Sequence, residues 1–280
     1  MSAQEIQIEG RVSLSALRFN AGAGMRALAL HGWLDNAMSF AALAGQMPEV
    51  EITALEFAGH GRCDHLPAGT FYHFVDYCGD VLAALEQLGD PPDFILAHSL
   101  GGAVATAFAA ALPDRVKRLV LLEALGPISG GADRATLALR NALLDRARLG
   151  DKQLRLFASV ADAVAARLSA NRMAPSSAEA LMQRGLRAVP GGFLWASDPR
   201  LTLDTPIRLG EDVVEAWIDA IACPTLVIVG EEIPAFFPIE RQQARFARLR
   251  QGTLCRLPGR HHLHMDDPAP AAAAIRAFVS

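Results

Sequence analysis

From Phe94 to Pro113 the chain runs for twenty residues without an Asp, Glu, Lys or Arg. An uncharged stretch of that length must be buried, either in a bilayer or inside a large core. The residues within it argue against the bilayer, because His98, Ser99 and the pair Gly101-Gly102 interrupt its first half. These suit a sharp turn between a buried strand and a buried helix. The stretch therefore predicts a strand over Phe94–Ala97, a turn at Ser99 and a helix over Gly102–Leu112. A strand buried on both faces belongs to a parallel sheet covered by helices on each side.

The rest of the chain repeats that unit. Strand-like runs lie at Val12–Phe19, Arg26–Leu30, Ile52–Phe57 and Arg118–Leu122, with helical spacing at Ser39–Met47 and Val75–Leu88. From Pro127 to Leu209 the rhythm breaks into Ala-, Leu- and Arg-rich segments of helical spacing with no convincing strand. It then resumes with a helix at Glu211–Ala220, a strand at Thr225–Val229, a helix at Ile239–Leu249, a strand at Thr253–Leu257 and a closing helix at Pro270–Val279. The expected organisation is one α/β core, residues 1–126 and 210–280, interrupted by a helical insertion, residues 127–209. With 280 residues, 51% of them hydrophobic, the chain is long and apolar enough for such a core and is not a disordered chain. Its 26 basic and 30 acidic residues argue against a nucleic-acid partner or stable membrane insertion. The N-terminal MSAQEIQIEGR lacks a basic stretch followed by an apolar one, so no signal peptide is expected. Cys63, Cys78, Cys223 and Cys255 form no CxxC pair and suit a reducing, cytoplasmic setting. A homo-oligomer is compatible with the sequence.

Three motifs carry chemistry. Ala97-His98-Ser99-Leu100-Gly101-Gly102 places a serine on the strand-to-helix turn, with Oγ near the positive end of the following helix. It departs from G-x-S-x-G at Ala97, whose added methyl is mild where the backbone suits a residue with a Cβ. The bland alternative is a serine capping a helix in a nucleotide-type turn. His31-Gly32-Trp33 follows an apolar run, so the N–H groups of Trp33 and Leu100 could form an oxyanion hole. His31 itself suits a hydrogen-bonded structural role. In Gly259-Arg260-His261-His262-Leu263-His264-Met265-Asp266-Asp267-Pro268, three histidines compete to be the serine's general base. They lack the spacing of a metal site, and neither metal nor cofactor is expected.

Together these motifs resemble the α/β-hydrolase superfamily over nearly the whole chain. His31-Gly32-Trp33-Leu34-Asp35-Asn36 and Ser197-Asp198-Pro199-Arg200-Leu201 look like its serine-hydrolase-like branch of esterases and lipases. Ala58-Gly59-His60-Gly61-Arg62 resembles an architectural GHGxS turn, with Cys63 at the serine position. The resemblance implies a mostly parallel eight-stranded sheet with helices on both faces and a helical cap inserted after the sixth strand. It also implies His261 as the base, because His264 and Pro268 fall three and seven residues after it.

The acid is displaced. Many members place it three residues after the glycine that ends the seventh strand, which here is Ile233 after Gly230. The haloalkane-dehalogenase branch instead uses an acid after the sixth strand, which here is Glu123; Glu232 and Glu231 are the alternatives. Unlike that branch, position 99 is Ser and not Asp, which implies acyl transfer. The expected activity is carboxylic-ester hydrolysis of a small molecule through an acyl-enzyme. The alternatives are a hydrolase-fold small-molecule binder or signalling protein with weak turnover, and the same triad used for C–C hydrolysis or perhydrolysis. Phe157, Leu168, Met173, Met182, Phe193, Leu194 and Trp195 are large apolar side chains available either to an acyl pocket or to packing of the cap.

Overall fold

The computed structural model describes residues 3–149 and 154–280. Its strands are β1 (Gln4–Glu9), β2 (Ser13–Phe19), β3 (Met25–Leu30), β4 (Val50–Leu55), β5 (Phe94–His98), β6 (Leu119–Leu122), β7 (Leu186–Val189), β8 (Gly192–Trp195), β9 (Thr225–Gly230) and β10 (Gly252–Leu257). Eight of them form one sheet in the order β1-β2-β4-β3-β5-β6-β9-β10. The β1–β2 and β2–β4 pairs are antiparallel and every other pair in this sheet is parallel.

The central strands β3, β5 and β6 are apolar except for Arg26 at the start of β3 and His98 at the end of β5, because both faces are covered. Alternate residues feed two separate cores. Leu28 and Leu30 of β3, Ile95 and Ala97 of β5, and Leu119 and Leu121 of β6 pack on one face. Ala27, Ala29, Phe94, Leu96, Val120 and Leu122 pack on the other. The helices that supply these layers are α1 (Ala41–Gln46), α2 (Tyr77–Gln87) and α3 (Leu100–Ala111). Three more follow in the insertion: α4 (Ala135–Arg148), α5 (Val160–Ala170) and α6 (Pro175–Gly185). The chain closes with α7 (Glu211–Ala220), α8 (Ile239–Phe246), α9 (Leu263–Asp266) and α10 (Pro268–Val279). No helix among the described residues is long and apolar enough to cross a membrane.

The uncharged stretch thus divides into β5, Ser99 and α3. Its glycines are there for close approach. Gly101 N–H donates to the His31 carbonyl at 3.0 Å, and a Cβ on Gly101 would overlap the Leu30 carbonyl oxygen. A Cβ on Gly102 would lie 2.6 Å from the Ala124 Cβ. The Leu30 carbonyl belongs to β3 and cannot move without displacing a central strand. Gly101→Ala is therefore expected to destabilise the fold by about 3 kcal/mol, the upper end for overpacking. In a chain of this size that lowers Tm by roughly 6–12 °C. A variant melting with the wild type would contradict this close approach.

Residues 127–209 are not helical throughout. Helix α6 stops at Gly185, and β7 and β8 form an antiparallel hairpin. Pro190 cannot continue a helix, and Gly191 and Gly192, at φ of 86° and 150°, make the reversal. Phe157 extends this small sheet by pairing with Phe193. The end of the Ala/Leu/Arg-rich run, residues 150–153, lies outside the described residues.

Candidate active site

Four loops meet at the carboxyl ends of the parallel strands, where open α/β sheets place their sites. They follow β3 (Gly32–Asp35), β5 (Ser99), β6 (Glu123) and β10 (Gly259–His262). Among the described residues four non-glycine residues have positive φ, and three of them belong to these loops: Leu34 at 59°, Ser99 at 50° and Glu123 at 56°. Such backbone is unfavourable for residues with a Cβ, and it persists where the surroundings enforce it. At Ser99 it is enforced from both sides, since Ser99 N–H donates to the Leu122 carbonyl at 3.0 Å and Gly101 is clamped to His31. Ala97 lies within β5, fully buried and outside the positive-φ set, so its methyl simply joins the core.

Ser99 Oγ lies 2.9 Å from His261 Nε2, and His261 Nδ1 lies 3.4 Å from Glu123 Oε2. The carboxylate can only accept, so the proton sits on Nδ1. Nε2 is then free to accept from the serine hydroxyl, the direction a general base requires. Glu123 is only 1% exposed, and its other oxygen accepts the Gly230 N–H. Glu232 is not near this chain of groups: it is exposed and pairs with Arg260 at 2.7 Å and Arg172 at 3.1 Å. Glu231 is exposed as well, and so is Ile233 at the register expected for an acid.

Behind Glu123, Arg245 donates to the Leu125 carbonyl at 2.7 Å and to Glu211 at 2.7 and 2.9 Å. Hydrogen bonds from Arg245 pull the Glu211 pKa down to about 2 from an ordinary 4.5. A depressed acid stabilises the fold fully above its ordinary pKa and loses that contribution as pH falls through the folded one. Glu211→Gln is therefore expected to melt below the wild type at pH 7, with the gap closing between about pH 4.5 and 2. Melting curves across that range check it; a gap that stays constant to pH 2 would contradict the pairing.

A cavity of about 550 Å³ opens over Ser99 and His261. Trp33 and Leu100 line it, and among the described residues neither backbone N–H has an acceptor in the fold. The Trp33 ring is half exposed and donates its Nε1–H to the Leu201 carbonyl at 2.9 Å. Residues 127–209 supply much of the opposite wall, including Ile128, Leu203, Ile207 and Leu209, while Phe236 and Phe237 close it from the core.

A family model described as the alpha/beta hydrolase fold matches residues 28–268. The chain belongs to the α/β-hydrolase fold family. A serine hydrolase-like protein of Dictyostelium discoideum is 28% identical over 267 residues, covering 90% of this chain and 74% of that protein. The crystal structure of a hypothetical protein from Pseudomonas aeruginosa PAO1 superposes with a TM-score of 0.90 at 38% identity, covering 100% of this chain and 98% of the other. A thioesterase domain from the curacin biosynthetic pathway shares the fold at a TM-score of 0.85 and 23% identity, covering 99% of this chain and 100% of that one.

The remaining histidines of this hydrolase have other work. His31 donates from Nδ1 to the Gly32 carbonyl at 2.7 Å and accepts the Phe57 N–H on Nε2 at 3.1 Å, which fixes it as a neutral ring. His60 is buried against His31 and Tyr77, and burial pushes its pKa down to about 3. His264 contacts Ser39 Oγ at 2.9 Å. Cys63, at the serine position of the GHGxS-like turn, accepts from Ser15 N–H and donates to the Glu56 carbonyl. The Ser197–Leu201 segment anchors the end of the insertion: Tyr72 donates to Asp198 at 2.8 Å, and Asp198 N–H donates to the Gly59 carbonyl.

The seven large apolar side chains of the insertion do not line the cavity. Phe157, Met173 and Met182 form a third core with Leu181 and Met265, and Leu168, Phe193 and Trp195 pack against it. Sequence reasoning gave no role to Asp35, His98 or Arg167, which sit side by side along one wall of the cavity. Burial pushes the His98 pKa down to about 4. Burial alone would raise that of Asp35, but His262, His98 and Arg167 outweigh it and hold the carboxyl well below the usual range.

Proposed function

We propose that this hydrolase cleaves carboxylic esters of small molecules through a serine acyl-enzyme. The observation that carries the proposal is the alignment of Ser99 Oγ, His261 and Glu123, with the proton on His261 Nδ1. Ser99 Oγ attacks the ester carbonyl while His261 Nε2 takes its proton. Glu123 stabilises the imidazolium and holds its tautomer. The N–H groups of Trp33 and Leu100 bind the oxyanion, each worth about 3–4 kcal/mol in the transition state. His261 returns the proton to the leaving alcohol, then activates the water that releases the acid. Residues 127–209 act as a cap that shapes the cavity and limits water. The serine hydrolase-like relative and the thioesterase fold neighbour are in keeping with acyl transfer. The displaced acid and Ala97 were the grounds for a binder with weak turnover, and a carboxylate within reach of His261 weakens the first of them.

The test is covalent labelling by a fluorophosphonate together with turnover of p-nitrophenyl esters. Wild type is expected to label once, at Ser99. Turnover is expected to favour longer acyl chains, because Ile128, Leu203, Ile207 and Leu209 stand on the wall facing the serine, beside polar neighbours such as Asn171, Asp204 and Arg208. Each buried methylene is worth about 0.8 kcal/mol, or roughly fourfold in kcat/KM, until the cavity is full. Absence of labelling on folded protein would refute the proposal; acetate esters turning over fastest would show that these apolar side chains do not hold the acyl chain.

A further inference from the structure

Asp35 brings four separate parts of the site to one carboxylate. It lies on the loop after β3 that carries the Trp33 N–H. Its Oδ2 is 3.5 Å from Nδ1 of His98, the neighbour of Ser99, and 3.5 Å from Nε2 of His262, the neighbour of His261. Its Oδ1 pairs with Arg167 on α5 of the insertion. Asp35 and His98 are buried, and Arg167 is 8% exposed. Gly32 is part of the same packing, since a Cβ there would lie 2.8 Å from His98 Nδ1 and 2.9 Å from Asp35 Oδ2.

His98 turns this cluster into a brace. Its Nε2 lies 2.8 Å from the His261 carbonyl oxygen. A carbonyl only accepts, so Nε2 carries the proton and donates. The strand that presents Ser99 is thereby bonded to the backbone of the histidine that faces Ser99. Asp35 Oδ2, His98 Nδ1 and Arg167 Nε are all buried without a hydrogen-bond partner among the described residues. A buried charge left with such imperfect pairing contributes little to stability and is costly to keep. Packing alone would be served better by apolar side chains of the same size.

We propose that Asp35 and His98 are positioning residues that hold the His261 backbone, and hence its imidazole, in register with Ser99, and that Arg167 couples this register to the docking of α5. The proposal rests on the assignment of Ser99 and His261 as nucleophile and base. His98 acts through its Nε2–H on the carbonyl of His261. Asp35 acts from the other side: its carboxylate pairs with Arg167 and faces the His262 Nε2 at 3.5 Å, which ties the β3 loop and α5 to the histidine loop. Displacing a reacting group by about an ångström costs on the order of 10²-fold in rate, with little effect on ground-state binding.

The experiment measures kcat and KM separately, with Tm, for Asp35→Asn, His98→Leu and His98→Gln on a p-nitrophenyl ester. Asp35→Asn and His98→Leu are expected to lose on the order of 10²-fold in kcat with KM little changed. In His98→Gln the side-chain amide nitrogen reaches the place of the imidazole Nε2 and restores most of kcat. Should Asp35→Asn fail to fold, the two His98 variants decide, because they leave the Asp35–Arg167 pair in place. Folded Asp35→Asn and His98→Leu with wild-type kcat would overturn the proposal, and so would equal losses in His98→Gln and His98→Leu. Ser99→Ala serves as the control: if it retains turnover, the nucleophile assignment has failed, and that failure is read separately from the brace.

Discussion

Replacing Ser99 with alanine is expected to lower ester turnover by roughly 10⁴- to 10⁶-fold, and adding His261→Ala should cost little more. In the proposed mechanism the two groups act as a unit: the imidazole at 2.9 Å has value only as a base for that hydroxyl. Once the hydroxyl is gone there is no proton to take. The residue of rate comes from the cavity and the Trp33 and Leu100 N–H groups, which would still polarise a bound carbonyl toward attack by water. Because Ser99 is held at a φ of 50° by its neighbours, alanine should take the same backbone and leave Tm nearly unchanged. Steady-state kinetics of the two single variants and the double variant check this. Losses that multiply in the double variant would show that the residues act independently.

Glu123→Gln is expected to lower kcat by roughly 10⁴-fold, the loss seen when a triad aspartate becomes an asparagine. The geometry explains why so conservative a change is severe. One carboxylate oxygen accepts the Gly230 N–H and the other faces His261 Nδ1. A glutamine keeps its carbonyl oxygen on the Gly230 N–H and so turns its NH2 toward Nδ1. That favours an imidazole protonated on Nε2, which cannot accept from Ser99. Glu232→Gln should leave kcat unchanged, because that carboxylate is spent on Arg260 and Arg172 at the surface. A deep loss in Glu232→Gln with little in Glu123→Gln would reverse the assignment of the acid.

What could be read in the sequence follows from how each feature writes itself there. Glu123 was legible because it follows four apolar residues, where a charge is costly unless it has a partner. The eight-stranded sheet was expected, yet the place of β1 was not, since Gln4–Glu9 offers only Ile6 and Ile8 among polar residues and buries only Ile8 fully. An edge strand that covers one face leaves that faint a pattern. The β7–β8 hairpin was hidden for a similar reason, because its residues are only partly buried and lack a clean alternation. Pro190-Gly191 was its one local sign.

The site divides in the same way. Ser99, its turn and the histidine loop carry local spacing that can be read directly. The choice of His261 among three histidines was implied by the resemblance, and the 2.9 Å approach to Ser99 agrees with it. Asp35, His98 and Arg167 are drawn together from β3, β5 and α5, separations of 63 and 132 residues that no local pattern encodes. Nor does composition separate a methionine that lines a cavity from one that fills a core, which is why the insertion's large side chains proved to be packing.

The central claim is that Ser99 is acylated during turnover. Rapid-quench mass spectrometry after mixing the protein with a p-nitrophenyl ester measures this directly. The expected result is a single acyl group per chain, on the peptide containing Ser99, formed at least as fast as turnover and absent in Ser99→Ala. Turnover with no acyl group on Ser99 at any time, or with the acyl group on another residue, would contradict it.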